Sequence, residues 1–348
     1  MKLGATFIFI LAMTVAALAQ SGRVKTNETP TPTPSPRSTV IYVPTQTVSK
    51  SPTATPTPKE EEVYKVVSTL VPIPVSVLDA RGRAVTNLQL ADFELKIDGK
   101  PAEISDLARS ETPIRLAMLF DNSSSVLIAR EFEKEAAIKF FRRVIRPEKD
   151  MAALFSISTF TTLEQNFTRE VNELIRSIEL FPSPEGATAL LDGIILAADK
   201  MREVEGRRVM VIVSDGEDTK TDSTLEGVVR ALQIGNCQVY VVKTTDFENY
   251  KRTGSRKGSA NTRQLIAERR MMEITAQTGG AVYSPIDESE VDDAFRQISA
   301  ELAQQYILSY YPEDDSTKRG QFREISLTLK NKPNLTLRTR KGYYVPKK

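Results

Sequence analysis

The middle of this 348-residue chain alternates short apolar runs with stretches of helical periodicity. The runs at 114–120 and 208–213 are apolar at almost every position, and amphipathic stretches such as 129–145 and 189–203 separate successive runs. Strands that are apolar on both faces are typical of parallel sheets that helices cover on both sides. For residues 112–305 the alternation therefore predicts a doubly wound, mostly parallel α/β sheet flanked by helices, of Rossmann-like architecture.

The two ends of the chain have the alternating pattern of half-buried β-strands. Phe93, Leu95 and Ile97 fall on one face of such a strand, and further β-rich runs begin near residue 306. Neither end has enough strands for a domain of its own, because isolated hairpins are only marginally stable. We therefore predict that residues 63–111 and 306–348 pair into one small β-sandwich, with the α/β domain inserted between them.

The first residues have the pattern of an export signal. Lys2 precedes a long apolar run, and Ala17 and Ala19 supply the small residues of a cleavage site. We predict a signal peptide at 1–19 and an exported protein, periplasmic or secreted, with no membrane insertion after cleavage. An uncleaved anchor is the alternative, because the run approaches the ~20 residues that span a bilayer. Residues 20–62, rich in Pro, Thr and Ser, predict a disordered, extended linker.

The composition excludes several kinds of site. The chain has no histidine and one cysteine, so it has no Ser-His-Asp triad, no imidazole ligand, no internal disulfide and no zinc–thiolate cluster. We expect Cys237, within an apolar run, to be buried. The net charge is only +2, which gives no overall field to attract nucleic acid. We predict a protein that binds no nucleic acid and is not an enzyme.

Three loops of the α/β region are rich in side-chain oxygens. Asp121, Ser123 and Ser125 follow the first apolar run, Thr188 precedes a helix, and Asp215 follows a later run. Ligands of parallel sheets bind beyond the carboxyl ends of the strands. Carboxylate and hydroxyl oxygens are the ligands that hard divalent cations prefer. Each loop alone equally suits a helix cap or a turn, so the evidence lies in their order and spacing.

The sequences Asp-x-Ser-x-Ser at 121–125, Gly-x-Thr at 186–188 and Ser-Asp-Gly at 214–216 resemble the von Willebrand factor A domain. In that family these positions form a metal-ion-dependent adhesion site. The resemblance covers about residues 113–303, and Ser124 stands where many members have glycine. It implies that five residues hold Mg²⁺ or Mn²⁺: Asp121, Ser123, Ser125, Thr188 and Asp215. The flanking segments resemble those of exported bacterial proteins that carry A-related domains, through sequences such as Val75-Ser-Val-Leu-Asp79, Asp98-Gly99-Lys100 and Arg340-Lys-Gly-Tyr-Tyr344.

The resemblance implies a protein-binding or adhesion module. In A domains the ion keeps an open coordination position, which an aspartate or glutamate of a partner protein fills. One alternative is a structural scaffold that helps to assemble a cell-envelope complex without needing the ion. Another is a metal-assisted hydrolase, for which the sequence offers no evident general base.

A basic, glycine-bearing segment follows the apolar run that ends near Thr244. We predict that it forms a mobile loop on the metal side of the sheet, where its cations steer an acidic partner. A solvated loop with incidental charge is the alternative. The proposed rim consists of Lys251, Arg252, Arg256, Lys257 and Arg263. We also predict that four residues form the solvated face of the first helix: Glu131, Glu133, Lys134 and Glu135.

Overall fold

The computed structural model describes residues 70–109, 111–124, 130–256, 261–312 and 318–347. The predicted signal peptide and linker, together with Ser125 and Lys257, lie outside these residues. Among the helices that are described, none is both long and apolar enough to cross a membrane.

The secondary structure follows the predicted alternation. The strands are β1 (Val71–Leu78), β2 (Phe93–Ile97), β3 (Lys100–Ala102), β4 (Asp106–Arg109), β5 (Ile114–Asp121), β6 (Met151–Ile157), β7 (Thr161–Thr168), β8 (Arg207–Ser214), β9 (Cys237–Lys243), β10 (Ala281–Tyr283), β11 (Tyr306–Tyr310), β12 (Phe322–Leu329), β13 (Thr336–Thr339) and β14 (Gly342–Tyr344). The helices are α1 (Arg130–Val144), α2 (Val171–Glu179), α3 (Leu190–Met201), α4 (Leu225–Ile234), α5 (Thr245–Thr253), α6 (Thr262–Thr278) and α7 (Glu288–Gln304).

A six-stranded sheet forms the centre of the α/β domain, in the spatial order β10-β9-β8-β5-β6-β7. Neighbouring strands run parallel except at the edge, where β7 is antiparallel to β6. The chain reverses its direction of travel across the sheet after β7, when it returns to place β8 beside β5. The carboxyl edge near β5 and β8 is therefore where a doubly wound sheet has its ligand crevice.

Side chains of the central strands alternate between two apolar cores. On one face, Leu116 and Phe120 of β5 belong to a cluster with Phe140 of α1 and Phe295 of α7. On the other face, residues of the same strand, such as Leu119, belong to a cluster with α3, α4 and α6. Burial on both faces explains why these strands are apolar at nearly every position.

The two ends of the chain form a β-sandwich, as predicted. One sheet has the order β13-β1-β11-β4 and the other the order β14-β12-β2-β3, so each sheet combines strands from both ends. Inward residues of both sheets, including Val75, Leu95, Leu308 and Ile325, share one buried core. The predicted fold, a doubly wound α/β domain with a β-sandwich of the flanking segments, is confirmed.

Two elements differ from the sequence prediction. Residues 245–253, predicted to begin a mobile loop, form helix α5, because the buried Phe247 stacks on Phe132 of α1 with ring centroids 5.8 Å apart. Strand β7 was not predicted, because its sequence, TTLEQNFT, is polar. An edge strand has one neighbour and is half-exposed, so it needs no apolar run.

Candidate functional site

Asp121 and Ser214 end the neighbouring parallel strands β5 and β8 at the carboxyl edge of the sheet. The Ser214 hydroxyl donates a hydrogen bond to Asp121 Oδ2 at 2.6 Å, and the Ser123 backbone N–H donates to Asp121 Oδ1 at 3.0 Å. All three residues are buried. These bonds fix the orientation of the Asp121 carboxylate and bring Ser123 beside it.

Asp215 lies next to this pair and is also buried. Its Oδ1 accepts a hydrogen bond from the Glu217 backbone N–H at 2.8 Å, and its carbonyl accepts one from the Thr245 hydroxyl at 3.0 Å. Burial, followed by the charge of Asp215, raises the pKa of Asp121 to about 6. The charge of Asp215 is therefore close enough to oppose ionisation of Asp121.

The third loop is tied to the other two. The Ser124 hydroxyl donates to the Gly186 carbonyl at 2.8 Å, which joins this loop to the one after β5. The Thr219 backbone N–H donates to the Thr188 carbonyl at 2.9 Å, and the Thr188 backbone N–H donates to Thr219 Oγ1 at 3.1 Å. These two bonds join the third loop to the loop after β8. We call residues 121–124, 186–189 and 214–218 the site loops.

Gly186 allows the third loop to pack closely against its neighbours, and Ser124 fits its own loop without strain. Gly186 has a φ of +78°, and a Cβ there would lie 2.5 Å from Thr159 Oγ1, so both backbone conformation and space require glycine. Ser124 replaces a glycine of the family pattern without strain. Among the described non-glycine residues, positive φ values occur only at Asp98, Asn236 and Asn331.

Two further carboxylates lie at the site, and the sequence analysis did not assign them to it. Glu133, predicted to be solvated, is 1% exposed, because α1 turns this residue towards the sheet. Neither of its carboxylate oxygens has a hydrogen-bond partner among the described residues. The nearby Thr244 hydroxyl donates instead to Glu248 Oε1 at 3.1 Å. The solvated-face prediction is therefore wrong for Glu133 and holds for Glu131 and Glu135, which are exposed, whereas Lys134 is half-buried.

The pKa values of Glu133 and Glu248 show that acidic side chains lie close together at the site. Burial, and then the charge of Glu248, raises the pKa of Glu133 well above its ordinary value. Burial, and then the charge of Asp215, raises the pKa of Glu248 to about 8. The buried Arg130 does not offset this charge through hydrogen bonds, since it donates to neutral oxygens of Asn122 and Pro182.

These residues fit a hard divalent cation. Asp121 and Asp215 offer carboxylate oxygens, Ser123 and Thr188 are buried hydroxyl residues of the adjoining site loops, and Glu133 adds a buried carboxyl group without a hydrogen-bond partner among the described residues. Within the described residues, no three His, Cys, Asp or Glu side chains converge as a ligand set. A cation here would therefore depend on hydroxyl groups and water as well as on carboxylates.

The predicted basic rim is only partly at the site. Lys251 Nζ pairs with Glu288 at 2.5 Å and Arg256 pairs with Asp287 at 3.0 Å, so both cations are neutralised by the start of α7. Arg252 lies on α5, with Nη2 donating to Asn249 Oδ1 at 2.6 Å, and Lys257 is outside the described residues. Arg263, in the first turn of α6, is near enough to Glu217 to oppose the rise in its pKa.

Comparison with solved structures gives three proteins of similar architecture. The PilB minor pilin of Streptococcus sanguinis matches with a TM-score of 0.43 and 12% identity, over 57% of this chain and 63% of the pilin. An aerotolerance-related membrane protein of Bacteroides fragilis matches with a TM-score of 0.40 and 19% identity, over 54% of this chain and 98% of that protein. The vWF domain of the type V pili tip protein Mfa5 of Porphyromonas gingivalis matches with a TM-score of 0.42 and 11% identity, over 54% and 94%.

No family model and no curated protein matches the chain. The mostly parallel sheet, the helices on both faces and the three loops at its carboxyl edge agree with what the sequence predicted. The α/β domain has a von Willebrand factor A-type fold. The chain covers less than two thirds of the minor pilin's length, 63%, so the likeness concerns the fold of one part and not a whole protein's activity.

One exposed residue beside the site was also missed from the sequence. Phe160 lies in the turn between β6 and β7 and is 77% exposed. The sequence signal was a large aromatic residue inside the polar stretch Ser158-Thr-Phe-Thr-Thr162, directly after an apolar strand.

Proposed function

We propose that this chain is an exported protein-binding module that recognises a carboxylate of a partner protein through Mg²⁺ or Mn²⁺. Asp121, Ser123, Ser125, Thr188 and Asp215 would hold the ion. Bound there, the ion would supply a positive charge with an open coordination position for an oxygen of the partner's aspartate or glutamate.

The observation that carries the proposal is a group of four acidic side chains in and beside the site loops, three of them buried and one partly buried. Asp121 and Asp215 lie close together, and Glu133 and Glu248 add two more acidic groups at the same edge. Buried charges are costly unless they are paired or coordinate a metal. A cation at the edge of the sheet would neutralise this charge and would remain accessible from the crevice.

The same arrangement favours binding over catalysis. A hydrolase would need a group placed to move a proton to or from the substrate. The chain has no histidine, the usual general base, and Asp121, Asp215 and Glu133 are buried. Export and adhesion also fit the signal-like first residues and the linker that follows them.

The proposal is tested by calorimetric titration of Mg²⁺ and Mn²⁺ into the full chain. We expect saturable binding by the natural protein and none by Asp121→Ala or Thr188→Ala, each checked for intact fold by circular dichroism. Asp199→Ala is the matched control, because Asp199 lies near the far end of α3 with its side chain 60% exposed. Ion at one hundred times its Kd should also stabilise the fold by about 2.7 kcal/mol.

Each outcome has a definite meaning. Binding that Asp121→Ala abolishes and Asp199→Ala retains supports an ion held by the site loops. Binding that survives in both site variants places the ion elsewhere. A natural protein that binds neither ion would contradict the proposal and would favour a metal-independent scaffold for a cell-envelope complex.

A further inference from the structure

The turn that carries Phe160 is anchored to the site loops. The Asn122 backbone N–H donates to the carbonyl of Ile157, the last residue of β6, at 2.7 Å. The Ala189 backbone N–H donates to the Ser158 carbonyl at 2.9 Å, and that of Ala187 donates to Thr159 Oγ1 at 3.2 Å. The turn is therefore held rigidly against two of the three site loops.

Phe160 itself is exposed on this anchored turn. The side chain is 77% exposed, although a phenylalanine has no polar group that gains from contact with water. Large aromatic side chains held on a rigid frame lose little conformational entropy when a partner covers them. Exposure and rigidity together are the properties of an interface anchor.

Apolar side chains are also exposed on the other side of the site. Helix α6 lies against the loop after β8, since Arg270 pairs with Asp218 at 3.7 Å and a Cβ on Gly216 would lie 3.5 Å from Ala267 Cβ. In the first turns of this helix, Leu265 is 49% exposed and Ile266 is 53% exposed.

The sheet order places these two features on opposite sides of the candidate ion. Phe160 follows β6, which lies beside β5, whereas α6 packs against β9, which lies beside β8. The loops after β5 and β8 lie between them. A partner segment that crosses the site would therefore meet an aromatic side chain on one side and an apolar helix end with Arg263 on the other.

We infer that the module recognises an acidic residue flanked by a large apolar residue, and that Phe160 is the residue that determines this specificity. The inference rests on the proposed function, because the acidic residue is the one that the ion would bind. The apolar neighbour packs on Phe160, and Arg263 adds a positive charge that favours an acidic segment. An isolated carboxylate, or one among polar neighbours, would bind more weakly.

The inference is tested by selecting peptides from a displayed library of random twelve-residue sequences, with and without Mg²⁺. The baits are the full natural chain, Phe160→Ser and Ile234→Ser. The last is a matched control, because Ile234 is an exposed apolar residue at the end of α4, just before the amino end of β9. All three baits are first titrated with Mg²⁺, so that loss of the ion is separated from loss of the apolar contact.

We expect the natural chain and Ile234→Ser to enrich, only with Mg²⁺, peptides in which Asp or Glu lies within about three residues of an aromatic or large aliphatic residue. Phe160→Ser should bind Mg²⁺ normally and enrich acidic peptides without the apolar preference. Its affinity for the best natural-chain peptide should fall about tenfold or more.

Two results overturn the inference. Mg²⁺-dependent enrichment of acidic peptides without an apolar preference, or an apolar preference that Phe160→Ser retains, would leave the proposed function standing and remove the role of Phe160. Mg²⁺ binding without enrichment of acidic peptides would overturn carboxylate recognition, and the inference with it.

Discussion

Buried carboxylates are the feature that links the chemistry of the site to the stability of the fold. Glu133 is fully buried without a hydrogen-bond partner among the described residues, and Glu248 is partly buried beside Asp215. An unpaired buried charge lowers the stability of the folded state. The ion-free protein avoids part of this cost by keeping protons on these groups, and a bound cation would remove the need for them.

This coupling predicts an unusual pH dependence. Glu248 has an ordinary pKa of 4.5 and a folded-state pKa of about 8. The folded protein keeps this proton where the unfolded chain has lost it, so the stability contribution is complete below pH ~4.5 and is lost as pH rises through ~8. With EDTA present, we expect the free energy of unfolding to fall between these pH values by on the order of a few kcal/mol, at ~1.4 kcal/mol per pKa unit.

Urea denaturation at several pH values measures this slope. Glu248→Gln should make the slope shallower, since the amide has no proton to lose in this range, and the remaining slope comes from Glu133 and Asp121. Glu179→Gln, which removes an exposed carboxylate at the end of α2, should keep the slope of the natural protein. Equal slopes in all three proteins would mean that Glu248 does not stay protonated in the fold.

The sequence predicted some site residues and not others for a physical reason. Asp121, Thr188 and Asp215 occur in loops whose spacing and position after strands indicate a shared edge, and the structure brings these loops together. Glu133 and Glu248 occur among charged neighbours on helices, where an acidic residue ordinarily indicates a solvated face. The helical spacing of Glu133 to Ala137 and Phe140 places it on the buried stripe of α1, a signal that its charge outweighed in the prediction. The position of Glu248 depends instead on how α5 packs against α1.

Close approach of the backbone shapes the far side of the sheet, where α6 ends and β10 begins. A Cβ on Gly280 would lie 1.7 Å from the Val239 carbonyl oxygen, so β10 can pair with β9 only if residue 280 has no side chain. The apolar residues at 281–283 suit a buried strand, but the sequence does not indicate this contact, because hydropathy does not depend on how close two backbones lie.

Gly280→Ala should therefore lower the free energy of unfolding by about 2 kcal/mol or more, since the backbone of β9 or β10 must move. Urea denaturation measures the loss. Gly227→Ala is the matched control: this glycine lies in the first turn of α4, where an added Cβ meets only Thr224 Oγ1 at 3.3 Å. There alanine should be neutral or stabilise the helix slightly. Equal stability of the two variants would show that β10 does not pair closely with β9.

The sandwich and the α/β domain share more than the chain connections between them. Glu301, near the end of α7, accepts hydrogen bonds from Tyr240 of β9 at 2.9 Å and from Arg338 of β13 at 3.2 Å. The Lys341 backbone N–H donates to the Gln277 carbonyl at 3.1 Å. A buried carboxylate thus joins the central sheet, the last helix and the sandwich.

The sandwich itself depends on both ends of the chain, and this gives a prediction for a truncated protein that ends at Gln305. Strand β1 would lose both of its neighbours, β11 and β13, and β2 would lose β12. The strands that remain could form at most a two-stranded sheet, and such a sheet is only marginally stable in water. All six strands of the α/β sheet would keep their partners.

We therefore expect residues 70–109 to become sensitive to protease while the α/β domain stays folded. Limited trypsin digestion with mass spectrometry should detect cleavage at Lys96, in the middle of β2, at least tenfold faster than in the full chain. A chain that lacks only Lys347 and Lys348 is the control and should resist cleavage there. If Lys96 stays protected in the chain that ends at Gln305, the N-terminal strands fold without their C-terminal partners. The two ends would then be separate units and not one sandwich.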